Sequence, residues 1–369
     1  YKYTHPVHGE IHQPLVVAPA VTANLNLNAL AFSSSNGDKV IDVVFTSHAS
    51  SAFRATVSPT VPEGWSVSPA HMELNFERND QEISGRFTLT PDPVRIIQRM
   101  EGAMGAHKDL LTFDLQYLNP ENNHQTRETA SMIKTIDYQH IPLITYFPPA
   151  NIRLSYIHTG VSAHRIGYII GAGDLVPDAL RQIGLTVDLL SEQDILDQDL
   201  SQYDAIVSGI RAYNVNRRMG YIQPKLMEYV QNGGTYLMQY NVSSGLSTSD
   251  FGPYPFKLSR LRVTDELSEV RILLPENQVL NYPNKINSGD FDGWIQERGL
   301  YFAADIDPRY ELPLSMNDAG EQALDGSVVV GQYGKGKFVY TSLAFFRQLP
   351  AGVPGAYRLF VNLLAKPIE

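Results

Sequence analysis

Residues 165–190 read RIGYIIGAGDLVPDALRQIGLTVDLL. An apolar run from Ile166 to Ile170 stops at a glycine turn, Gly171-Ala172-Gly173-Asp174. LVPDALRQIG then carries helical spacing that halts at Gly184, and TVDLL follows as a short β run. Strand, helix, strand in so few residues requires a crossover, and crossovers join parallel strands. The texture continues downstream. YDAIVSGI (203–210) predicts a strand, QPKLMEYVQNGG (223–234) a helix with a glycine stop, and TYLMQYN (235–241) another strand. SVVVGQYGKGKFVYTSLAFF (327–346) predicts a hairpin turning at Gly334-Lys335-Gly336, and VPGAYRLFVNLLA (353–365) a closing helix. Residues 164–369 are therefore expected to form an α/β domain with a mostly parallel sheet, flavodoxin-like in architecture.

Working back toward the amino terminus, the period changes to two. VTANLNLNALAF (21–32) places Val21, Ala23, Leu25, Leu27, Ala29 and Ala31 on one face, and DKVIDVVFTSH, SGRFTLTPD and LLTFDLQYLN alternate similarly. Turn chemistry divides these runs at Ser34-Ser35-Asn36-Gly37-Asp38, Pro62-Glu63-Gly64 and Asn119-Pro120-Glu121-Asn122-Asn123. Residues 1–150 are expected to be an antiparallel, immunoglobulin-like β-sandwich without a disulfide. Val94 to Lys108 is the exception, a short helix or an excursion. Residues 151–163 are expected to connect the domains, following the stiffening prolines Pro142, Pro148 and Pro149.

Composition excludes several function classes. The chain has 369 residues, 29 Lys and Arg against 39 Asp and Glu, a net charge of −10 and no cysteine. Thiol nucleophiles, zinc knuckles and iron–sulfur ligation are absent with the cysteines. No basic cluster exceeds Arg217-Arg218, which argues against a nucleic-acid groove. The ten histidines all precede residue 165, so no Ser/His pair can form within 165–369. No apolar run is long enough for a membrane span. The start, YKYTHPVHGE, lacks signal-peptide regions and an initiator Met, and the chain is expected to be a piece of something longer.

Several motifs imitate chemistry. GQYGKGK (331–337) matches the opening of a phosphate-binding loop, but Phe338 replaces the metal-ligating Ser/Thr and a strand follows instead of a helix. GAGD (171–174) lacks the third glycine of a dinucleotide fingerprint, although Asp174 ends a parallel strand, where open sheets hold ligands. Asp290-Phe291-Asp292-Gly293 fails a calcium loop in register, with Ser288 and Gly299 where carboxylates belong. His5, His8 and His12 are expected to be exposed, and no metal or cofactor is expected. The informative residues follow the strand ends: Arg211, Tyr213 and Asn214; Tyr240 and Asn241; Trp294, Glu297 and Arg298; and Phe345, Phe346 and Arg347. Aromatic faces beside Arg, Asn and Glu suit a polyhydroxylated ligand such as a sugar. The plainer reading makes Glu297–Arg298 a structural ion pair and the aromatics core.

The stretches 165–190, YDAIVSGIRAYNVN, EYVQNGGTYLMQYN, FDGWIQERGLYF and YGKGKFVYTSLAFFRQLPAGVPGAYRLFVNLL resemble the C-terminal region of Bacteroidetes PIG-L (LmbE-like) deacetylase fusion proteins. The resemblance implies a β-sandwich followed by a class I glutamine amidotransferase-like, or ThuA-like, domain. It also implies a glycan-active deacetylase domain upstream and a periplasmic or extracellular location. The deacetylase's His-Pro-Asp-Asp signature is missing, since His5-Pro6 is followed by Val7. In amidotransferases a nucleophilic Cys follows the strand that TYLMQ resembles, and here Tyr240-Asn241 stand there. The partner His would follow KFVYTSL, where the chain has Leu343, Ala344 and Phe345. ThuA-like and β-galactosidase trimerisation domains use this fold without that triad. The expected function is a non-catalytic carbohydrate-binding or assembly module, with no catalytic residue. The alternatives are a glycan hydrolase using Asp174 and Glu297, and a purely structural docking or oligomerisation domain.

Overall fold

Phe45 and Phe87 lie on one antiparallel sheet and Phe113 on another, and the rings meet edge-on or tilted at 6.2 and 5.7 Å. Such contact between two inner faces makes the first unit a sandwich. In the computed structural model, which describes residues 2–7, 9–12, 14–34, 37–101, 109–138 and 140–368, the chain divides into two compact units. The first comprises Tyr1–Leu30 and Gly37–Leu154, the second Ala31–Asn36 and Ser155–Glu369.

One sheet of the first unit runs in the order Val21–Leu25, Lys39–Ser47, Glu82–Pro91, Trp65–Ser68. The other includes Asp109–Leu118 flanked by Phe53–Thr60 and Asn151–Ile157, with Met72–Phe76 beyond Phe53–Thr60. Alternation explains the pairing: in Asp109–Leu118 every second residue is buried. Three expectations need correcting. The run 21–32 is two strands, not one, because the chain bends at 26–28 and Ala29–Ser33 is buried throughout. Residues 151–157 are a strand and not a connector, since Ile152, Leu154, Tyr156 and Ile157 are all buried. Val94 to Lys108 begins as a helix, Pro93–Glu101, and residues 102–108 lie outside the described residues. So do Ser35 and Asn36 of the first turn, and His8.

The second unit is built on six strands: Arg165–Ile169 (β1), Thr186–Leu190 (β2), Ala205–Ser208 (β3), Thr235–Gln239 (β4), Val328–Tyr333 (β5) and Gly336–Thr341 (β6). Their order is β2-β1-β3-β4-β6-β5. All neighbours are parallel except the β5–β6 hairpin, whose Tyr333↔Gly336 register leaves Gly334-Lys335 as its turn. Four helices frame this sheet: Val176–Gln182 (α1), Glu192–Asp197 (α2), Met219–Gln231 (α3) and Pro354–Leu364 (α4).

Both faces are covered, so the strands read as near-continuous apolar runs. Tyr168, Val207, Leu237 and Val339 share one core with α1 and α4. Ile169, Ile206, Tyr236 and Phe338 share the other with Ile195 of α2 and Leu226 of α3. Local chemistry sets the helix ends. A Ser191–Asp194 capping box starts α2. Gly184, at φ +93°, turns the chain after α1 in a conformation costly for other residues. Pro354 opens α4, where its missing N–H costs nothing. Between β4 and β5 the chain forms small two-stranded ladders, such as Val270–Ile272 with Leu314–Met316, that strand periodicity over so few residues does not announce. Among the described residues no helix is long and apolar enough to cross a membrane.

Candidate functional site

The carboxyl ends of β1, β3, β4 and β6 lie along one edge of the parallel sheet, and the expected site residues follow them. After β1, the GAGD turn is a packing device. A Cβ on Gly171 would sit 2.0 Å from the carbonyl oxygen of Ile210, and Ala172 N donates to that same oxygen. Asp174 clasps three elements. Its Oδ1 accepts from the Tyr168 hydroxyl (2.7 Å) and from Val176 N at the start of α1 (3.0 Å), and Oδ2 accepts from Ile210 N beyond β3 (3.2 Å). Gln239 Nε2 donates to the Tyr168 hydroxyl, so β4 joins the same chain of bonds. Burial, chiefly, and the neighbouring Asp174 charge push the Tyr168 hydroxyl far above its ordinary pKa.

Five other candidates build the framework. Tyr213 is fully buried, its N–H donates to Asn241 Oδ1 (2.9 Å), and its hydroxyl meets Gln223 and Tyr236. Asn241 is also fully buried, with Nδ2 donating to Gln239 O. Asn214 bridges the loop after β4, donating to Val242 O and Ser244 O and accepting from Val242 N. Trp294 is 3% exposed, packs against Phe291 and Phe345, and donates Nε1–H to Asp290 O. Arg298 is 5% exposed, and donates to Ser268 O and Phe291 O. Its expected partner Glu297 pairs instead with Arg347, Nε to Oε1 at 2.7 Å. Two backbone carbonyls engage Nε and Nη1 of the Arg298 guanidinium, whose Cζ also lies 6.0 and 5.7 Å from the Phe291 and Trp294 ring centroids.

What remains gathers around Tyr240. Its ring stacks on Tyr301 at 6.0 Å and 4°, and meets Phe346 at 5.3 Å. Burial raises the pKa of its hydroxyl. Arg211 and Arg347 act against that rise, and Glu297 and Tyr301 add to it, so all four lie within electrostatic reach. Arg347 also lies over the Phe346 ring, 4.8 Å from its centroid. Arg211 is exposed, with its main-chain N–H held by Tyr240 O (2.8 Å). Its φ of +58° is one of six positive values at non-glycine residues among those described, and Gln296 (+66°) and Tyr301 (+59°) are two more. Half of this backbone strain therefore sits on the loops that carry the group. Sequence reasoning missed Tyr301, and its signal was its place in DGWIQERGLYF, five residues from two expected site residues or fewer.

Chemically, the group offers an aromatic face, one exposed guanidinium without a side-chain partner, and an Arg–Glu pair. The carboxylates of Asp174 and Glu297 are engaged by N–H, hydroxyl and guanidinium donors of the surrounding framework. Among the described residues no group of three or more His, Asp or Glu could hold a metal ion. Two open depressions adjoin the same edge without sharing these residues. One of about 590 Å³ is lined by Ile170, Leu189 and Arg218, and one of about 350 Å³ by Leu246, Phe251 and Phe256.

No family model and no curated protein matches the chain. Among solved structures it is similar to the cytoplasmic protein STM1381 from Salmonella typhimurium LT2, at 16% identity over 54% of this chain and 98% of that one, with a TM-score of 0.38. It is also similar to the β-galactosidases of Rahnella sp. R3 (17%, 55% of this chain, TM-score 0.31) and Halorubrum lacusprofundi (15%, 55%, TM-score 0.33). The chain spans 31% and 30% of the length of those two enzymes.

Proposed function

We propose that the chain is a β-sandwich joined to a flavodoxin-like, amidotransferase-like domain, and that it serves as a non-catalytic carbohydrate-binding or assembly module of a glycan-active PIG-L-type deacetylase. The strand order β2-β1-β3-β4-β6 supports the fold half of this reading. One observation carries the functional half. At the strand ends where an amidotransferase keeps its nucleophile and base, Asn241 is consumed by Tyr213 N and Gln239 O, and Leu343, Ala344 and Phe345 are buried. The side chains left at that edge are the Tyr240–Tyr301–Phe346 aromatics with Arg211 and the Arg347–Glu297 pair. That set binds sugars by stacking and planar hydrogen bonds, and it has no group placed to break a bond.

Calorimetry with N-acetylglucosamine oligomers at millimolar concentration tests the reading. Binding is expected to weaken about tenfold in Tyr301→Ala and in Arg211→Ala, each removing roughly 1.4 kcal/mol of contact. No heat with any sugar, or binding in both variants as tight as in the unaltered chain, would overturn the binding half. The assembly half is tested by gel filtration of the chain mixed with a PIG-L-type deacetylase domain, where co-elution is expected.

A further inference from the structure

Lys337 belongs to β6, where it pairs with Thr235 of β4 and Gln332 of β5, and it is 3% exposed. An ammonium has three protons to donate. Lys337 Nζ makes one hydrogen bond, 3.3 Å long, to the main-chain carbonyl of Asn362 in the last turn of α4. The charged groups on the surrounding elements are committed elsewhere. Glu311 accepts from Asn277 Nδ2 at 2.6 Å, Asp307 holds Arg309 through both oxygens, and Lys366 of the C-terminal segment pairs with Asp204. A helix C-terminus compensates only a small part of the cost of burying a cation.

Beside this lysine is a cavity of about 120 Å³ lined by Lys337, Asn277, Gln278, Arg309, Glu311 and Gln332, among others. At roughly 30 Å³ for a water in the liquid, the space takes about four non-hydrogen atoms. Asn277 and Gln278 each have one amide bond made, to Glu311 and to Lys366 O, which leaves each a second amide proton. Arg309 is paired with Asp307, and Glu311, which accepts from Asn277 Nδ2, forms no ion pair with Lys337, so the ammonium has no carboxylate partner among the described residues.

We propose that this cavity is a binding site for a small carboxylate monoanion of the size of formate or acetate, with the Lys337 ammonium as its counter-charge and the Asn277 and Gln278 amides as further donors. The site is separate from the Tyr240 group and does not depend on the function proposed for it. Burial lowers the pKa of Lys337 to about 7, so the empty site holds its proton only in neutral or acidic solution. A bound anion keeps the proton on, and affinity falls roughly tenfold for each pH unit above that value.

Sodium acetate titrated into the full chain against sodium chloride, at constant ionic strength, tests this. Acetate at ten times its Kd is expected to raise Tm at pH 6 by about 3 °C, with no rise at pH 9. The lysine ε-¹³C resonance that titrates lowest is expected to shift its midpoint up by about one unit in acetate. Both effects are expected to vanish in Lys337→Met. An equal Tm rise at pH 9, or one retained in Lys337→Met, would place the anion elsewhere and overturn the proposal. If that variant does not fold, the ε-¹³C titration of the unaltered chain decides, and a midpoint unmoved by acetate overturns the proposal.

Discussion

Lys337 titrates near 7 in the folded chain and near 10.5 when exposed. Between those values the unfolded chain binds a proton that the folded chain does not, so stability rises with pH across the window. Below about 7 both states carry the proton, and the whole cost of the buried charge is felt. Lys337→Met should therefore stabilise the protein in chloride by a few kcal/mol, up to roughly 5, at pH 6.5, falling to roughly 1 kcal/mol at pH 9.5. Urea unfolding of both proteins at the two pH values measures this, and a gain independent of pH would contradict it. Nothing in GQYGKGK marks Lys337 as buried, because the alternation of β6 gives the face of a residue and not what covers that face. The same limit applies to the candidate site. Residue type and strand-end position were enough to single out Arg211, Tyr240, Glu297 and Arg347. They could not separate these from Tyr213, Asn241 and Arg298, whose polar atoms are spent inside the fold: the Tyr213 hydroxyl with Gln223 and Tyr236, Asn241 Oδ1 with Tyr213 N, and Arg298 Nε with Ser268 O.

At the scale of elements, the parallel sheet was legible because each strand is a short apolar run closed by a turn or helix signal. Thr186–Leu190 forms where TVDLL stands, and the β5–β6 hairpin turns at Gly334-Lys335. The small ladders between β4 and β5 were not legible, because two or three residues carry no period. The Gly171 turn shows what such a signal means physically. Its glycine allows backbone contact between the β1 and β3 loops, with Ala172 N to Ile210 O at 2.8 Å and Asp174 fastened to Ile210 N. Gly171→Ala should push these loops apart and cost on the order of 3 kcal/mol or more, as backbone clashes in packed turns do. Chemical denaturation measures that loss. A variant as stable as the parent would mean that the turn relaxes freely and has no part in positioning Arg211.

At the scale of the whole molecule, the change from period two to strand–helix alternation marks the passage between units near residue 150. Residues 31–34 escape that reading because the partners of Ala31 and Ser33 are long-range. Ala31 N donates to Gln182 Oε1 at 2.7 Å and the Ser33 hydroxyl to Ile183 O at 2.9 Å, and Ala31 joins the core of Val176 and Leu180. A fragment of residues 155–369 lacks the Ala31–Gln182 and Ser33–Ile183 hydrogen bonds. Two lost hydrogen bonds and an uncovered apolar patch cost on the order of 2 kcal/mol. A synthetic peptide of residues 28–38 should restore them and raise the urea midpoint of the fragment in proportion to its concentration. Trp294 is the fluorescent reporter, because Trp65, the other tryptophan of the chain, lies outside the fragment. A midpoint that ignores the peptide would show that the Ala31 and Ser33 contacts contribute no stability to the second unit.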